Sequence, residues 1–320
     1  KIKSFVDTVG KFFYLLTLIK IIKPDVLQTW MYHSDLLGGV AGKICGVKKV
    51  IWNIRNTSIP QRPLSKTGLI VRFCAILSHF IPNKIISCSY AGKEYHSKLG
   101  YKKNKIIVIP NGFDSKHWAI PKVSKSAVRN KYGLPKEKLI VGVVGRFDPL
   151  KGYETFIEAA GLVDSESNKS IHFLMIGRNI ERGNSYFTNL IKEKGRKAKF
   201  KLMGEQRDIY NLMYCIDIFC LSSISEGFPN VVAEAMLMCT PCVVTDVGDA
   251  KKIVGTIGEV VPARQPIEMS KALLRLTSLT DNERHKIGKR ARERIKRLYN
   301  IENINKSYMS QYAIHDQRQR

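Results

Sequence analysis

The sequence predicts an α/β protein of two Rossmann-like, doubly wound domains, and three observations predict it. Short β-branched runs alternate with longer amphipathic stretches along the 320 residues. Most of those runs are apolar throughout, as strands buried on both faces of a parallel sheet are. The alternation stops once, in a stretch from Ser115 to Pro135 rich in Lys, Ser and Pro that reads as a linker, and resumes with "LIVGVVG". Repeated strand–loop–helix units build a parallel sheet with helices on its faces, and this length accommodates two of them.

In chain order, the candidate strands of the first domain are Val26–Thr29, Lys49–Trp52, Lys84–Cys88 and Ile106–Ile109. Those of the second are Leu139–Val144, His172–Ile176, Lys199–Leu202, Ile216–Leu221 and Pro241–Thr245. Helical periodicity is clearest at Tyr153–Val163 and Asn230–Met238. The domains are expected at 1–118 and 119–300, with residues 301–320 a helical tail packing back on the first domain. The apolar segment Phe12–Ile22 contains Lys20 and is about half the roughly 20 residues that a bilayer-spanning helix needs. It is expected to pack against the sheet.

Charge is the strongest compositional signal. The net charge is +26, and residues 1–120 hold 19 Lys and Arg against 5 Asp and Glu, a balance of +14. Such a field favours phosphates, nucleic acid or an anionic membrane surface, or it is simply a solubilising Lys-rich surface. Nucleic-acid binding predicts aromatics interleaved with cations. The basic stretch "RHKIGKRARERIKRLY" has only Tyr299, and reads better as an amphipathic helix docked across the domains. Seven scattered cysteines, mostly in apolar runs, imply a reduced, cytosolic protein. Cys239-Thr-Pro-Cys242 has metal-site spacing, but no second Cys or His pair completes it. No metal site is expected.

Two constellations carry chemistry. The first, Gly145-Arg146-Phe147-Asp148-Pro149-Leu150-Lys151-Gly152, lies at the carboxyl end of a strand, where ligands of parallel sheets bind. Gly145 admits a ligand close to the backbone, Arg146 offers a planar fork of donors, and Lys151 a mobile point charge. Two cations there suit a diphosphate. Neither a P-loop nor a dinucleotide fingerprint is present. The second, "SEGFPNVVAEAM" from Ser225 to Met236, follows the apolar strand "IDIFCLSS". Pro229 suits the first turn of the following helix, whose free N–H groups can face an anion. Glu226 precedes that helix and Glu234 lies about a turn inside it, and carboxylates accept from the paired hydroxyls of sugars. Glu226 as a helix-dipole charge is the plainer alternative.

These residues resemble the retaining glycosyltransferases of the GT-B fold, family GT4, whose signature is two glutamates separated by seven residues. Glu226 and Glu234 fit it, and "IPNGFD", "VGRFDPLKGYETFIEAA", "DIFCLSSISEGFP" and "PCVVTDVGDAKKIVGTIGEVVP" follow in the family's order. The nearest subgroup is the bacterial enzymes of O-antigen and capsular polysaccharide assembly. The resemblance implies two domains facing across a cleft, acceptor side first and nucleotide-sugar side second. It implies that Arg146 and Lys151 bind the donor diphosphate, that Glu226 contacts the transferred sugar and that Glu234 holds the ribose. Gly145 and the backbone of Gly227, Phe228, Pro229, Asn230 and Val231 would cradle phosphate and sugar, and Met203 and Gly204 would border the base. It also implies a UDP-sugar donor with no cofactor or metal, a lipid-linked or saccharide acceptor, no nucleic acid, and a cytoplasmic enzyme peripheral to the membrane. A GT-B epimerase or phosphorylase is the neighbouring alternative.

Three departures stand out. The family's opening strand, glycine-rich loop and first helix have no counterpart, so the chain is expected to be incomplete at its N-terminus. Arg55 replaces a histidine common in relatives, and a guanidinium is no general base, which leaves His33 as an acceptor-side candidate. Cys239 replaces a turn glycine, which suggests a local backbone change.

Overall fold

The computed structural model describes residues 5–57 and 65–313. They form two units, one of residues up to Asn111 together with Glu302 onward, the other Gly112–Ile301.

In the first unit the chain runs α1 (Phe5–Ile22), β1 (Val26–Gln28), α2 (Tyr32–Ile44), β2 (Lys49–Ile54), α3 (Lys66–Leu77), β3 (Lys84–Ser87), α4 (Tyr90–Lys98) and β4 (Ile106–Val108). The four strands lie side by side in that order, all parallel. After Lys49 every residue of β2 is buried, because alternate side chains feed two cores. Val50, Trp52 and Ile54 join Tyr32, Val71 and Cys74 of α2 and α3, while Ile51 joins Ile86, Ile109 and Ile304.

Ile304 comes from the far end of the chain. The last helix, numbered α13 below, spans Ile301–Tyr312 and covers the second face of this sheet. Lys49 donates to the Gln311 carbonyl at 3.1 Å, and Asn53 and Arg55 both donate to the Tyr308 hydroxyl at 3.3 Å. The Arg55 guanidinium also lies 4.9 Å from the Trp30 ring, which stacks on Tyr308 at 6.5 Å. Arg55 therefore fastens α13 to the strand ends. His33 is exposed in the first turn of α2.

Helix α1 departs from its expectation. It packs on α2 rather than on the sheet, and Phe13, Tyr14, Ile21 and Ile22 are exposed. Its apolar residues encircle the helix instead of forming one stripe, so no single packed face can bury them all.

The second unit runs α5 (Lys125–Lys131), β5 (Leu139–Val144), α6 (Tyr153–Glu166), β6 (Ile171–Ile176), α7 (Ser185–Lys194), β7 (Lys199–Leu202), α8 (Ile209–Cys215), β8 (Ile218–Leu221), α9 (Asn230–Leu237), β9 (Cys242–Thr245), α10 (Ala250–Val254), β10 (Glu259–Val261), α11 (Pro266–Ser278) and α12 (Asp281–Leu298). All strands are parallel in the order β10-β9-β8-β5-β6-β7. From β5 the chain moves outward through β6 and β7, then returns to the other side of β5 for β8, β9 and β10. Helices α6, α7 and α11 pack together around a core of Phe156, Phe173, Phe187 and Leu273. The groups α5–α8 and α8–α9–α12 also pack on one another.

Helix α5 stands inside the stretch read as a linker. Ser124 caps it through the Ala127 N–H, and Arg129 anchors it. The guanidinium, 6% exposed, donates to Asp217 at 2.5 Å and to the carbonyls of Cys215, Lys136 and Lys138. Asp217 also accepts from Lys125 at 3.0 Å and from the Ile140 N–H at 2.8 Å. Burial opposes ionisation of Asp217, but Lys125 and Arg129 outweigh it and hold the carboxyl below its ordinary range. Arg129→Ala leaves that carboxylate buried and under-paired, which costs about 3–5 kcal/mol. The expected result is a lower urea midpoint for the transition of this unit, partly recovered by adding Asp217→Asn; an unchanged midpoint contradicts the anchor.

Candidate functional site

In a doubly wound sheet the loops leaving the two strands at the reversal part to opposite faces and open a crevice at their carboxyl ends. Here those strands are β5 and β8. The loop after β5 carries Gly145–Gly152 and the loop after β8 carries Ser222–Pro229.

The first loop is built by its own sequence. Asp148 caps the 3-10 turn Pro149–Lys151 by accepting from the Leu150 N–H at 2.9 Å, and it receives Arg146 at 3.0 Å. Its carboxyl sits below the ordinary range, first through that backbone N–H and then through Arg146. Arg146 remains 62% exposed, so most of its donors face solvent. Gly152 has φ 62°, and a Cβ there would stand 2.1 Å from the Ser222 carbonyl oxygen. Only glycine lets the two loops close this far. They are then joined by Ile224 N–H to Leu150 O at 2.7 Å and by the Ser222 hydroxyl to Lys151 O at 2.9 Å.

That closure brings Lys151 Nζ to 2.6 Å from Glu226 Oε1, and the Ser223 hydroxyl donates to the same oxygen at 2.6 Å. Both members of the pair are largely buried. Tyr153 donates to the Gly145 carbonyl at 2.6 Å and fixes the mouth of the first loop. Behind the second loop, Gly248 has φ 56°, and its Cβ would meet Glu226 O at 2.3 Å. Asp249 N–H donates to Gly227 O at 2.9 Å, and Thr245 to Ser223 O at 2.6 Å.

The remaining candidates are distributed as follows. Pro229 is the residue before α9 rather than in its first turn, and Asn230 and Val231 open the helix. The Phe228 side chain is 8% exposed and stacks on Phe113 at 6.2 Å and against Tyr299 at 5.3 Å. Only its backbone is available to a ligand. Met203 and Gly204 follow β7 on the same carboxyl edge, tied by Gly177 N–H to Gly204 O at 2.8 Å and by Gly204 N–H to Ile180 O at 2.7 Å. Glu234 stands one turn into α9, half-buried, and its carboxyl has no hydrogen-bond partner among the described residues; burial pushes that carboxyl up to about 7. A cavity of about 380 Å³ opens beside the first loop between Phe147, Asp148, Tyr153, Tyr186 and Arg264. Lys151, Glu226 and Glu234 are not among its walls, so it adjoins the crevice rather than forming it.

Sequence reasoning passed over Ser223, Tyr153, Asp148 and Gly248. An Asp followed by Pro is a readable helix-start signal; the other three act through contacts no local pattern encodes. Cys239 takes φ 57°, a left-handed conformation that favours the glycine it replaces. Both Cys239 and Cys242 are free thiols pushed up by burial. Among the described residues no group of three or more His, Cys, Asp or Glu is placed to hold a metal ion.

Residues 124–294 match the family described as "Glycosyl transferases group 1", and residues 2–117 match "Glycosyltransferase Family 4". The chain belongs to the group 1 glycosyl transferases. This glycosyl transferase is 27% identical over 239 residues to a UDP-Gal:α-D-GlcNAc-diphosphoundecaprenol α-1,3-galactosyltransferase of Escherichia coli, covering 73% of this chain and 61% of the relative. It is 26% identical over 255 residues to an N,N'-diacetylbacillosaminyl-diphospho-undecaprenol α-1,3-N-acetylgalactosaminyltransferase of Campylobacter jejuni, covering 73% and 62%. The chain thus spans less than two-thirds of these relatives' length. Among solved structures it superimposes on HepE of Anabaena in complex with UDP, with a TM-score of 0.82 at 20% identity, over 93% of this chain and 80% of that one. That likeness shows the fold, two α/β units with parallel sheets of the GT-B type.

The raised carboxyl of Glu234 has a consequence for stability. A carboxyl whose folded value of about 7 exceeds its unfolded value near 4.5 makes the folded state progressively less stable as pH rises from about 4.5 to 7. Glu234→Gln removes that cost. The variant should match the parent near pH 4.5 and exceed it by about 1–3 kcal/mol above pH 7. Asp35, also pushed up to about 7 by burial, titrates in the same window, so the quantity to measure is the thermal-denaturation difference between variant and parent at pH 5 and pH 8. A difference independent of pH contradicts the raised value.

Proposed function

We propose that this protein is a retaining, metal-independent glycosyltransferase that moves a sugar from a UDP-sugar to a lipid-linked or saccharide acceptor in cell-surface polysaccharide assembly. The observation that carries this reading is the Lys151–Glu226 pair at the β5/β8 reversal, with Arg146 beside it. A leaving diphosphate gains negative charge as the bond from its oxygen to the anomeric carbon breaks. Arg146, Lys151 and the N–H groups of Asn230 and Val231 at the start of α9 are fixed charges and dipoles suited to that change. Lys151 also orients Glu226, and Ser223 holds the same carboxylate oxygen, which sets this carboxylate in place to face hydroxyls of the transferred sugar. Glu234, lacking a described partner, suits the two ribose hydroxyls.

In this reading the acceptor hydroxyl attacks the anomeric carbon on the face the diphosphate leaves, and its proton passes to the departing phosphate oxygen. No enzyme nucleophile is needed and configuration is retained. The two cations take the place of a divalent metal, in keeping with the absence of an Asp-x-Asp motif from the sequence. The acceptor class rests on the E. coli and C. jejuni relatives, whose names specify saccharides on diphosphoundecaprenol. Such an acceptor implies work at the cytoplasmic face of the membrane, and the +14 balance of residues 1–120 suits an anionic surface.

The test is thermal denaturation of the protein with UDP- and GDP-sugars in excess EDTA. A UDP-sugar at 100 times its Kd should stabilise by about 2.7 kcal/mol, undiminished by EDTA. Stabilisation by no nucleotide sugar, or only after Mg²⁺ or Mn²⁺ is added, contradicts the proposal.

A further inference from the structure

Helix α3 presents two unlike faces. Gly68, Val71, Cys74 and Ala75 point inward. On the opposite side Leu69, Phe73 and Ile76 recur at spacings of four and three, and stand 52, 51 and 62% exposed. That spacing keeps them in one narrow arc. Phe80, in the turn closing the helix, prolongs the stripe at 72% exposed. An arc of two phenylalanines with Leu and Ile on a water-facing helix calls for a partner.

Cations flank the stripe. On a helix of 3.6 residues per turn Lys66 and Arg72 fall on either side of the arc, and both are exposed. At its far end Lys105 donates to the His79 carbonyl at 2.8 Å, and its ammonium is pushed down by partial burial and by the neighbouring charges of Lys43 and Lys102. Lys43 is itself followed by exposed Ile44. From Ser65 to Lys105 the only acidic residue is Glu94, on another helix. A second copy of the chain seated on this stripe would bring these cations against their own counterparts. An anionic bilayer complements both features, apolar insertion for the stripe and phosphate headgroups for the lysines.

We propose that α3 is a membrane-docking helix, lying in the plane of an anionic bilayer with Leu69, Phe73, Ile76 and Phe80 inserted between headgroups and Lys43, Lys66, Arg72, Lys102 and Lys105 around them. This goes beyond a general attraction of a basic domain, because it names a face and requires apolar contact. It deepens the functional proposal, and rests on it only for the reason such docking is useful, namely an acceptor carried on a lipid.

The experiment is sedimentation of the full chain with vesicles of phosphatidylcholine alone or with phosphatidylglycerol, at low and high salt. The protein should bind the phosphatidylglycerol vesicles and release as salt rises. Phe73→Ser/Phe80→Ser should bind at least tenfold more weakly at unchanged melting temperature, since both residues are exposed, and Lys66→Glu/Arg72→Glu should lose binding at low salt. No binding by the parent, parent-like binding by the serine variant, or a dimer that only the serine variant dissolves would each overturn the proposal, the last in favour of self-association. Stabilisation by UDP-sugars, measured on the same preparations, separates the two claims. Docking falls alone if vesicle binding fails while the nucleotide still stabilises, and the functional reading falls alone in the reverse case.

Discussion

Lys151 meets Glu226 at 2.6 Å although 75 residues separate them, because their loops leave neighbouring strands at the place where the sheet reverses its order. The residues around both loops keep that contact. Gly152 brings the first loop against the Ser222 carbonyl, Ser223 shares the Glu226 oxygen, and Gly248 and Asp249 brace the second loop from behind. An ion pair this short and this sheltered fixes the carboxylate's orientation while satisfying one of its oxygens. It also holds the Lys151 ammonium at the strand end, where the proposed function places the developing phosphate charge.

The same economy of connections appears in the first unit. One face of its sheet is covered by α2 and α3, which follow the strands locally, but the other is covered by α13, which arrives from the end of the chain. Arg55 belongs to that second cover. Its bond to Tyr308 and its stacking on Trp30 make it a structural tie. Among the described residues the outer side of α3 has no such cover, and Phe73, with Phe80 in the turn after the helix, stays exposed.

Much of this was legible because buried parallel strands announce themselves. Leu139–Val144 coincides with β5 residue for residue, since it is a continuous apolar run bounded by Lys138 and Gly145, and Lys199–Leu202 coincides with β7, an edge strand whose lysines alternate with Phe200 and Leu202. Strand β10 escaped because three residues beginning with a glutamate carry no periodicity, and α5 escaped because its stability comes from Arg129 reaching Asp217 some ninety residues away. The loops bearing Arg146, Lys151 and Glu226, and the helix bearing Glu234, could be found from residue type and spacing. The pairing of Lys151 with Glu226, the burial of Phe228 and the second-loop brace at Gly248 could not, because each depends on which strands become neighbours.

The most direct measurement is turnover of a UDP-sugar by the parent, Arg146→Ala and Lys151→Ala. Preorganised charges facing the leaving diphosphate predict a fall in kcat of about 10²–10³ for each variant, with the melting temperature of Arg146→Ala near the parent's and that of Lys151→Ala lowered because it unpairs Glu226. Full turnover in a folded Arg146→Ala or Lys151→Ala protein would contradict the assignment of these cations to the donor diphosphate.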